Sequence, residues 1–142
     1  MSRPRHPAWP WLCALVFAHL VVSFVHGTAH QQAHVELSPA ATVFVFAVIL
    51  AGPLAGLALT WPAQQMGSWV VAGTMAASLV FGIVNHFVLS SPDHVAHVAA
   101  ASRMLFGSTA VLVAVLEAAG AGLAWHIGRS VRLQADRERS LV

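Results

Sequence analysis

Histidine is the residue type in this sequence whose number and spacing most clearly indicate chemistry. The chain of 142 residues contains nine histidines, and most of them fall between residues 19 and 97. Neutral imidazole is the commonest protein ligand of transition metals, and it also exchanges protons near neutral pH. The single cysteine, Cys13, excludes an internal disulfide and a CxxC redox or zinc motif.

Four of the histidines follow one another at helical spacing. His19, His26, His30 and His34 occupy positions i, i+7, i+11 and i+15, with a serine at i+4. At about 100° per residue these positions share one stripe of a helix, and His34 belongs to it if the helix continues that far. His26 and His30 form an HxxxH pair, a spacing that lets imidazoles on successive turns reach one metal ion.

A second group of histidines lies near the end of the third apolar stretch and after it. His86 stands just before that end, and His94 and His97 follow three residues apart. A Ser-Pro step before the latter pair is typical of a helix start, so a short interfacial helix is predicted over about 92–101. Such a helix would project His94 and His97 from one side.

Together these residues predict a transition-metal site at one face of a membrane. The predicted ligands are His26, His30, His86, His94 and His97. His34 and Asp93 are expected beside them, as partners that orient an imidazole or as alternative ligands. Ligation rich in imidazole and free of thiolate suits zinc, copper(II) or iron.

Other uses of the same histidines stay open at this point. A b-type haem needs two histidines at matching depth on facing helices, and His26 with His86 would qualify. Proton relay is another use of such a cluster. In an accessory subunit of a larger membrane complex, the histidines would only hydrogen-bond between helices. Metal handling, redox work and catalysis are not distinguished, because the chain lacks an HExxH box, a Walker loop and a GxSxG turn.

One carboxylate lies deep within an apolar stretch. Glu117 is surrounded by small residues, and a charge at such a depth costs about 2.5–3.5 kcal/mol on insertion scales. It should therefore face the protein interior and have a partner there. His19 lies deepest in its stripe and is the predicted partner.

Composition places these groups in a membrane protein. Apolar residues make up 58% of the chain and charged residues 8%, whereas a soluble domain carries about 25% charged residues. Apolar stretches of about 20 residues predict four membrane spans. Their expected bounds are about 10–28, 39–61, 67–90 and 104–128, with a cytoplasmic tail over 129–142. The predicted fold is an all-α, integral membrane four-helix bundle with short loops, forming one domain over residues 1–142.

Basic residues and tryptophans set the predicted orientation. Six of the seven basic residues lie at the chain ends: Arg3, Arg5, Arg129, Arg132, Arg137 and Arg139. The positive-inside rule then predicts a bacterial-type cytoplasmic membrane protein with both termini on the cytoplasmic side and the histidines at the outer face. All five tryptophans fall at the predicted cytoplasmic ends of the spans, where indole prefers to lie. Residues 1–29 also resemble a secretory signal, whose cleavage would leave three spans.

The same distribution of charge decides which partners are expected. The formal net charge of +2 comes from basic residues that flank apolar spans, so nucleic-acid binding is not predicted. The lipid bilayer is the first expected partner. A chain with almost no soluble part is also expected to form a homo-oligomer or to join a partner membrane subunit.

Overall fold

The structure, a computed structural model, describes residues 5–141 and contains four long helices. They are α1 (Trp9–Gln32), α2 (Pro39–Leu59), α3 (Gln64–Val88) and α4 (Ala100–Arg139). Each is long and apolar enough to cross a membrane, and the described residues contain no strand. This confirms the predicted all-α chain with four potential spans. Arg3, used for the predicted orientation, lies outside the described residues.

α1 extends beyond its apolar stretch. A proline in its first turn suits a helix start, because the missing N–H would have no intrahelical acceptor there. The helix ends at Gln32 instead of the expected residue 28, since the polar residues beyond the apolar stretch also suit a helix. His34 follows in a left-handed conformation with φ of 53°, and it is exposed. The histidine stripe on α1 therefore ends at His30.

α2 begins at the predicted residue and is irregular in its middle. Ser38 caps its start by accepting the Ala41 N–H at 3.2 Å. A wide, π-helical segment over Val45–Ala51 precedes Pro53. The proline lacks an N–H, so the preceding carbonyls cannot keep a regular α-helical pattern, and a widened turn accommodates them.

Glycine lets α2 approach α3 closely. A Cβ atom on Gly56 would lie 2.8 Å from the backbone nitrogen of Val71, a distance that real Cβ atoms do not adopt. α2 therefore contacts α3 backbone to backbone, in the manner of small-residue interfaces in membranes. Among the long helices, α4 packs against α1 and α3, while α2 packs mainly against α3.

The segment between α3 and α4 differs from the prediction. The helix expected over 92–101 is replaced by successive turns, and regular helix starts only at Ala100. Local side chains capture the backbone N–H groups that a helix would use: Ser91 Oγ accepts from Asp93 at 3.2 Å, and His94 Nδ1 accepts from Ala96 at 3.1 Å. Such bonds compete with helix formation.

α4 is longer than a membrane requires. Its 40 residues span about 60 Å, against about 30 Å for the hydrocarbon core of a bilayer. The residues expected to form a tail from 129 onward continue this helix to Arg139. An exposed ion pair between Arg132 and Asp136 at 3.8 Å lies in this extension. The end of α4 therefore projects beyond the apolar part of the bundle.

The two ends of the bundle differ in chemistry. At the tryptophan end, defined by Trp9, Trp61, Trp69 and Trp125, the indoles pair at centroid distances of 6.3 and 4.6 Å. The segment before α1 contacts α4 there, with the His6 and His126 rings 5.7 Å apart. A buried apolar cluster fills the adjoining half of the bundle, and we call it the apolar plug. Its members are Leu12, Val16, Leu20, Val71, Ala72, Met75, Ala124 and Ile127.

Candidate metal centre

Three histidines from two helices converge at the end of the bundle opposite the tryptophans, which we call the histidine end. His26 and His30 come from α1, and His86 comes from α3. Each offers a ring nitrogen, and these atoms lie within 4.8 Å of one another. Within residues 5–141 this is the one group of three or more metal-ligating side chains so arranged.

The three rings meet through their Nε2 atoms. His26 Nε2 lies 3.2 Å from His30 Nε2 and 3.2 Å from His86 Nε2. The spacing of four along α1 sets the first contact. The second depends on α3, whose last turn over Val84–Val88 is π-helical and contains His86. Single π-helical turns of this kind occur frequently at functional sites.

An aromatic ring from α4 covers one side of the cluster. Phe106 is fully buried, and its ring centroid lies 5.1, 4.8 and 5.3 Å from those of His26, His30 and His86 respectively. This contact holds all three imidazoles at one depth. It also excludes water from that side, which strengthens electrostatic interactions at the cluster.

The hydrogen-bond partner of His26 favours one tautomer. His26 Nδ1 lies 2.9 Å from Thr109 Oγ1, and that hydroxyl donates to the carbonyl oxygen of Leu105 at 2.7 Å. Because that bond uses the single hydrogen of the hydroxyl, the hydroxyl oxygen is left to accept from the imidazole. His26 therefore carries its proton on Nδ1, and its Nε2 presents a lone pair to the other two rings.

The partner of His86 has the same consequence. His86 Nδ1 lies 3.2 Å from the backbone oxygen of Asp93, which can only accept. The proton of His86 is therefore also on Nδ1, and its Nε2 presents a lone pair. In contrast, Nδ1 of His30 is buried without a hydrogen-bond partner. Use of His30 Nε2 as a ligand therefore places the proton of His30 on a nitrogen without an acceptor.

Two lone pairs facing each other at 3.2 Å repel unless a cation lies between them. A transition-metal ion bound tetrahedrally by imidazoles, with bonds of about 2.0–2.1 Å, separates neighbouring nitrogens by about 3.3 Å. The observed spacing between His26 and its two neighbours matches that value. One shared proton could satisfy only one of the two contacts of His26 Nε2. The geometry thus favours an ion that all three nitrogens bind together.

The Asp93 carboxylate is placed to complete the site. Its Oδ1 lies 3.2 Å from His86 Nδ1 and 3.5 Å from His30 Nε2, yet it is buried and forms no hydrogen bond. Burial opposes ionisation of this carboxyl, but its contact with His86 and the nearby His30 and His26 outweigh burial and lower its pKa. Asp93 is therefore an ionised acceptor beside an imidazole, the usual companion of a metal-bound histidine.

Three of the histidines singled out in the sequence stay apart from this group. His34 lies beyond the end of α1 and is exposed. His94 and His97 face each other at a centroid distance of 5.2 Å, and the Nδ1 atom of each contacts the backbone of its own loop. They occupy turns and not the expected helix. The loop thus contributes Asp93 to the cluster in place of the two histidines.

A second buried polar group lies deeper in the bundle. His19 Nε2 is 3.3 Å from Glu117 Oε1, and Ser78 donates its hydroxyl to the same oxygen. All three side chains are almost fully buried. His19 thus lies beside the carboxylate for which the sequence suggested it as a partner.

Some residues of the two buried polar groups were not identified from the sequence. Thr109, Phe106 and Ser78 have ordinary identities in apolar helices. One weak signal exists, because Ser78 lies eight residues before His86 and Thr109 lies eight residues before Glu117, so each pair shares a helix face. A cavity of about 1540 Å³ at the tryptophan end, lined in part by Arg5, contains none of the clustered histidines.

The chain was compared with protein-family models, with curated proteins and with solved structures, and no match was found. The geometry of the histidine cluster is therefore the basis on which a function can be assigned. That geometry combines three convergent imidazoles, two favoured tautomers and one unpartnered carboxylate oxygen.

Proposed function

We propose that this protein is a membrane protein that binds a divalent transition-metal ion at the outer face of the bilayer. The ligands are Nε2 of His26, His30 and His86, and the Asp93 carboxylate completes or supports the site. The observation that carries the proposal is the convergence of three Nε2 atoms, two of which are left as acceptors when the Nδ1 atoms donate to their partners. The predicted orientation of the spans places this end outside.

Burial of the ligands suits an ion that enters from the histidine end. The side chains of His30 and Asp93 each retain 12% of their exposure, so an ion can reach the cluster beside these two residues. Three neutral imidazoles with one carboxylate suit zinc, and also copper(II) or iron(II).

The same geometry disfavours the b-type haem considered from the sequence. A haem iron bound by His26 and His86 would hold them on opposite faces of a macrocycle, roughly 4 Å apart across two bonds of the usual length. Here the two Nε2 atoms lie 3.2 Å apart and both rings contact Phe106. No space for a macrocycle separates them, and His30 would have no role.

Zinc titration of detergent-purified protein tests the proposal. Calorimetry should show about one equivalent bound, and cobalt(II) should give ligand-field bands of a four-coordinate ion. Alanine at His26, His30 or His86 should each abolish or strongly weaken binding. His94→Ala and His97→Ala are matched controls, since they remove imidazoles from the adjoining loop that lie outside the cluster, and both should bind as the unchanged protein does.

Three results would contradict the proposal. The first is a folded protein that stays free of zinc, cobalt, copper and iron after reconstitution. The second is equal loss of binding in the loop controls, which would assign the ion to a different histidine set. The third is a Soret band that disappears in His86→Ala, which would indicate haem.

A further inference from the structure

The buried Glu117 carboxylate has polar neighbours but no arginine beside it. Glu117, His19 and Ser78 are contributed by α4, α1 and α3, and none of them is more than 1% exposed. From α1 only His19 faces the carboxylate among titratable groups, and from α3 the uncharged Ser78 does. The nearest arginines along α4, Arg103 and Arg129, lie more than three turns away. The carboxylate therefore has no permanent positive partner.

A carboxylate and an imidazole in contact within a membrane hold one proton between them. With that proton the pair is neutral overall, either as carboxylate and imidazolium or as carboxylic acid and imidazole, and without it the pair carries one negative charge. The 3.3 Å contact between His19 Nε2 and Glu117 Oε1 allows the proton to sit on either partner. Nδ1 of His19 is buried without a partner, so a further polar atom is available there.

Among the described residues, a polar group lies next to this pair on its side toward the histidine end. Ser23 Oγ lies 3.3 Å from His19 Nε2, and His26 follows one turn further along α1. In the opposite direction the apolar plug begins at once, with Met75 against Gly120 and Val16 before His19. The pair thus has a polar neighbour toward the histidine end, whereas the apolar plug lies between it and the tryptophan end.

We propose that the His19–Glu117 pair is a proton-binding site that opens toward the histidine end and releases its proton when the neighbouring cluster binds a metal ion. This second part rests on the proposed metal-binding function. The released proton leaves toward the histidine end, and neutral His19 with ionised Glu117 stays behind. The resulting negative charge offsets part of the charge of the ion.

Distance makes this coupling strong enough to measure. His19 and His26 are seven residues apart on one helix, which corresponds to about 10.5 Å. At an effective dielectric constant of about 20, a divalent ion at that distance weakens binding of the proton by on the order of a hundredfold. By linkage, removal of the proton strengthens metal binding by the same factor.

Infrared spectroscopy of the metal-free protein tests the proton site by itself. The carboxyl band of Glu117 should appear and disappear with pH and should be missing in Glu117→Gln. Glu36→Gln is the control, because Glu36 is exposed in the loop after α1. Ser78→Ala retains the carboxyl but removes its hydroxyl donor, so it should shift the band and its titration. A Glu117 carboxyl band that is the same at acidic and alkaline pH would overturn the proton site.

Addition of zinc then tests the coupling. The zinc-induced difference spectrum should contain a carboxyl loss that is absent in Glu117→Gln, and zinc affinity should vary less with pH in that variant. Zinc that binds without changing the Glu117 band would refute the coupling. If zinc fails to bind at all, the metal function fails, while the titration of the metal-free protein still decides the proton site. A proton leak across liposomes containing the protein would overturn the one-sided access.

Discussion

Thr109→Val is the substitution that tests the tautomer argument most directly. Valine has nearly the shape of threonine, so α4 should keep its packing while the hydroxyl that accepts from His26 Nδ1 is lost. His26 can then avoid an unpaired Nδ1–H only by moving its proton to Nε2, the atom that binds the ion. Metal binding reverses this move and leaves the N–H without an acceptor. The cost therefore falls on the metal-bound protein.

The size of the effect follows from that unpaired group. A buried N–H without an acceptor costs about 1–3 kcal/mol. Loss of a hydrogen-bond partner behind a metal-bound histidine weakens metal binding about 10- to 100-fold, or about 1.4–2.7 kcal/mol. The two ranges agree. We therefore expect the dissociation constant for zinc to rise 10- to 100-fold in Thr109→Val.

Competition with a chromophoric zinc chelator measures this change in detergent-purified protein. Ser108→Ala is the matched control, because the Ser108 hydroxyl donates only to Leu105 in its own helix and is exposed. Circular dichroism before and after heating shows whether each variant is folded. If folded Thr109→Val binds zinc within about twofold of the unchanged protein, the assignment of the His26 proton to Nδ1 is incorrect.

Three further outcomes are expected. Asp93→Asn should weaken zinc binding 10- to 100-fold in the same competition assay, because the amide no longer provides an anionic oxygen beside His86; unchanged affinity would remove Asp93 from the site. Zinc affinity should decrease as the pH is lowered, since protons compete for the imidazoles, and zinc that stays bound at a pH low enough to protonate all three histidines would contradict imidazole ligation. Gly56→Ala should lower the unfolding free energy by about 1–3 kcal/mol in thermal unfolding, because its Cβ would collide with the α3 backbone. Gly122→Ala, with open space around its Cβ, should have little effect, and equal losses would refute the close contact of α2 with α3.

The number and approximate position of the helices could be predicted because their signal is local. Apolar stretches of about 20 residues can be identified directly in the sequence, and the proline at 39 marks the start of α2. Helix ends were less predictable, since hydropathy detects the bilayer and not the end of a helix. α1 continues through polar residues to Gln32, and α4 continues to Arg139.

The site was predictable where it depends on a single helix. His26 and His30 share a face of α1 because of their spacing alone. The contact with His86 depends also on the π-helical end of α3, for which the sequence has no simple signal. His94 and His97 were expected to join because a Ser-Pro step suggested a helix, but side-chain bonds to the loop backbone produced turns. Contacts between helices, such as that of Thr109, depend on packing that periodicity does not reveal.

The spacing of polar residues shows why the two buried sites belong together. On α3, Ser78 and His86 are eight residues apart, and on α4, Thr109 and Glu117 are also eight apart. Residues so spaced lie on the same face of a helix, separated by about 12 Å. Each site thus uses one face of α3 and one face of α4.

α1 also contributes a residue to each site, since His19 contacts the deeper site and His26 contacts the outer one. Both sites therefore connect the same three helices, and an ion that draws His26 toward His86 acts on the helices that hold the proton. α2 supplies no residue to either site among those described, and it packs mainly on α3 through glycine. The proposed metal and proton chemistry is consequently assigned to α1, α3 and α4, while α2 packs mainly on α3.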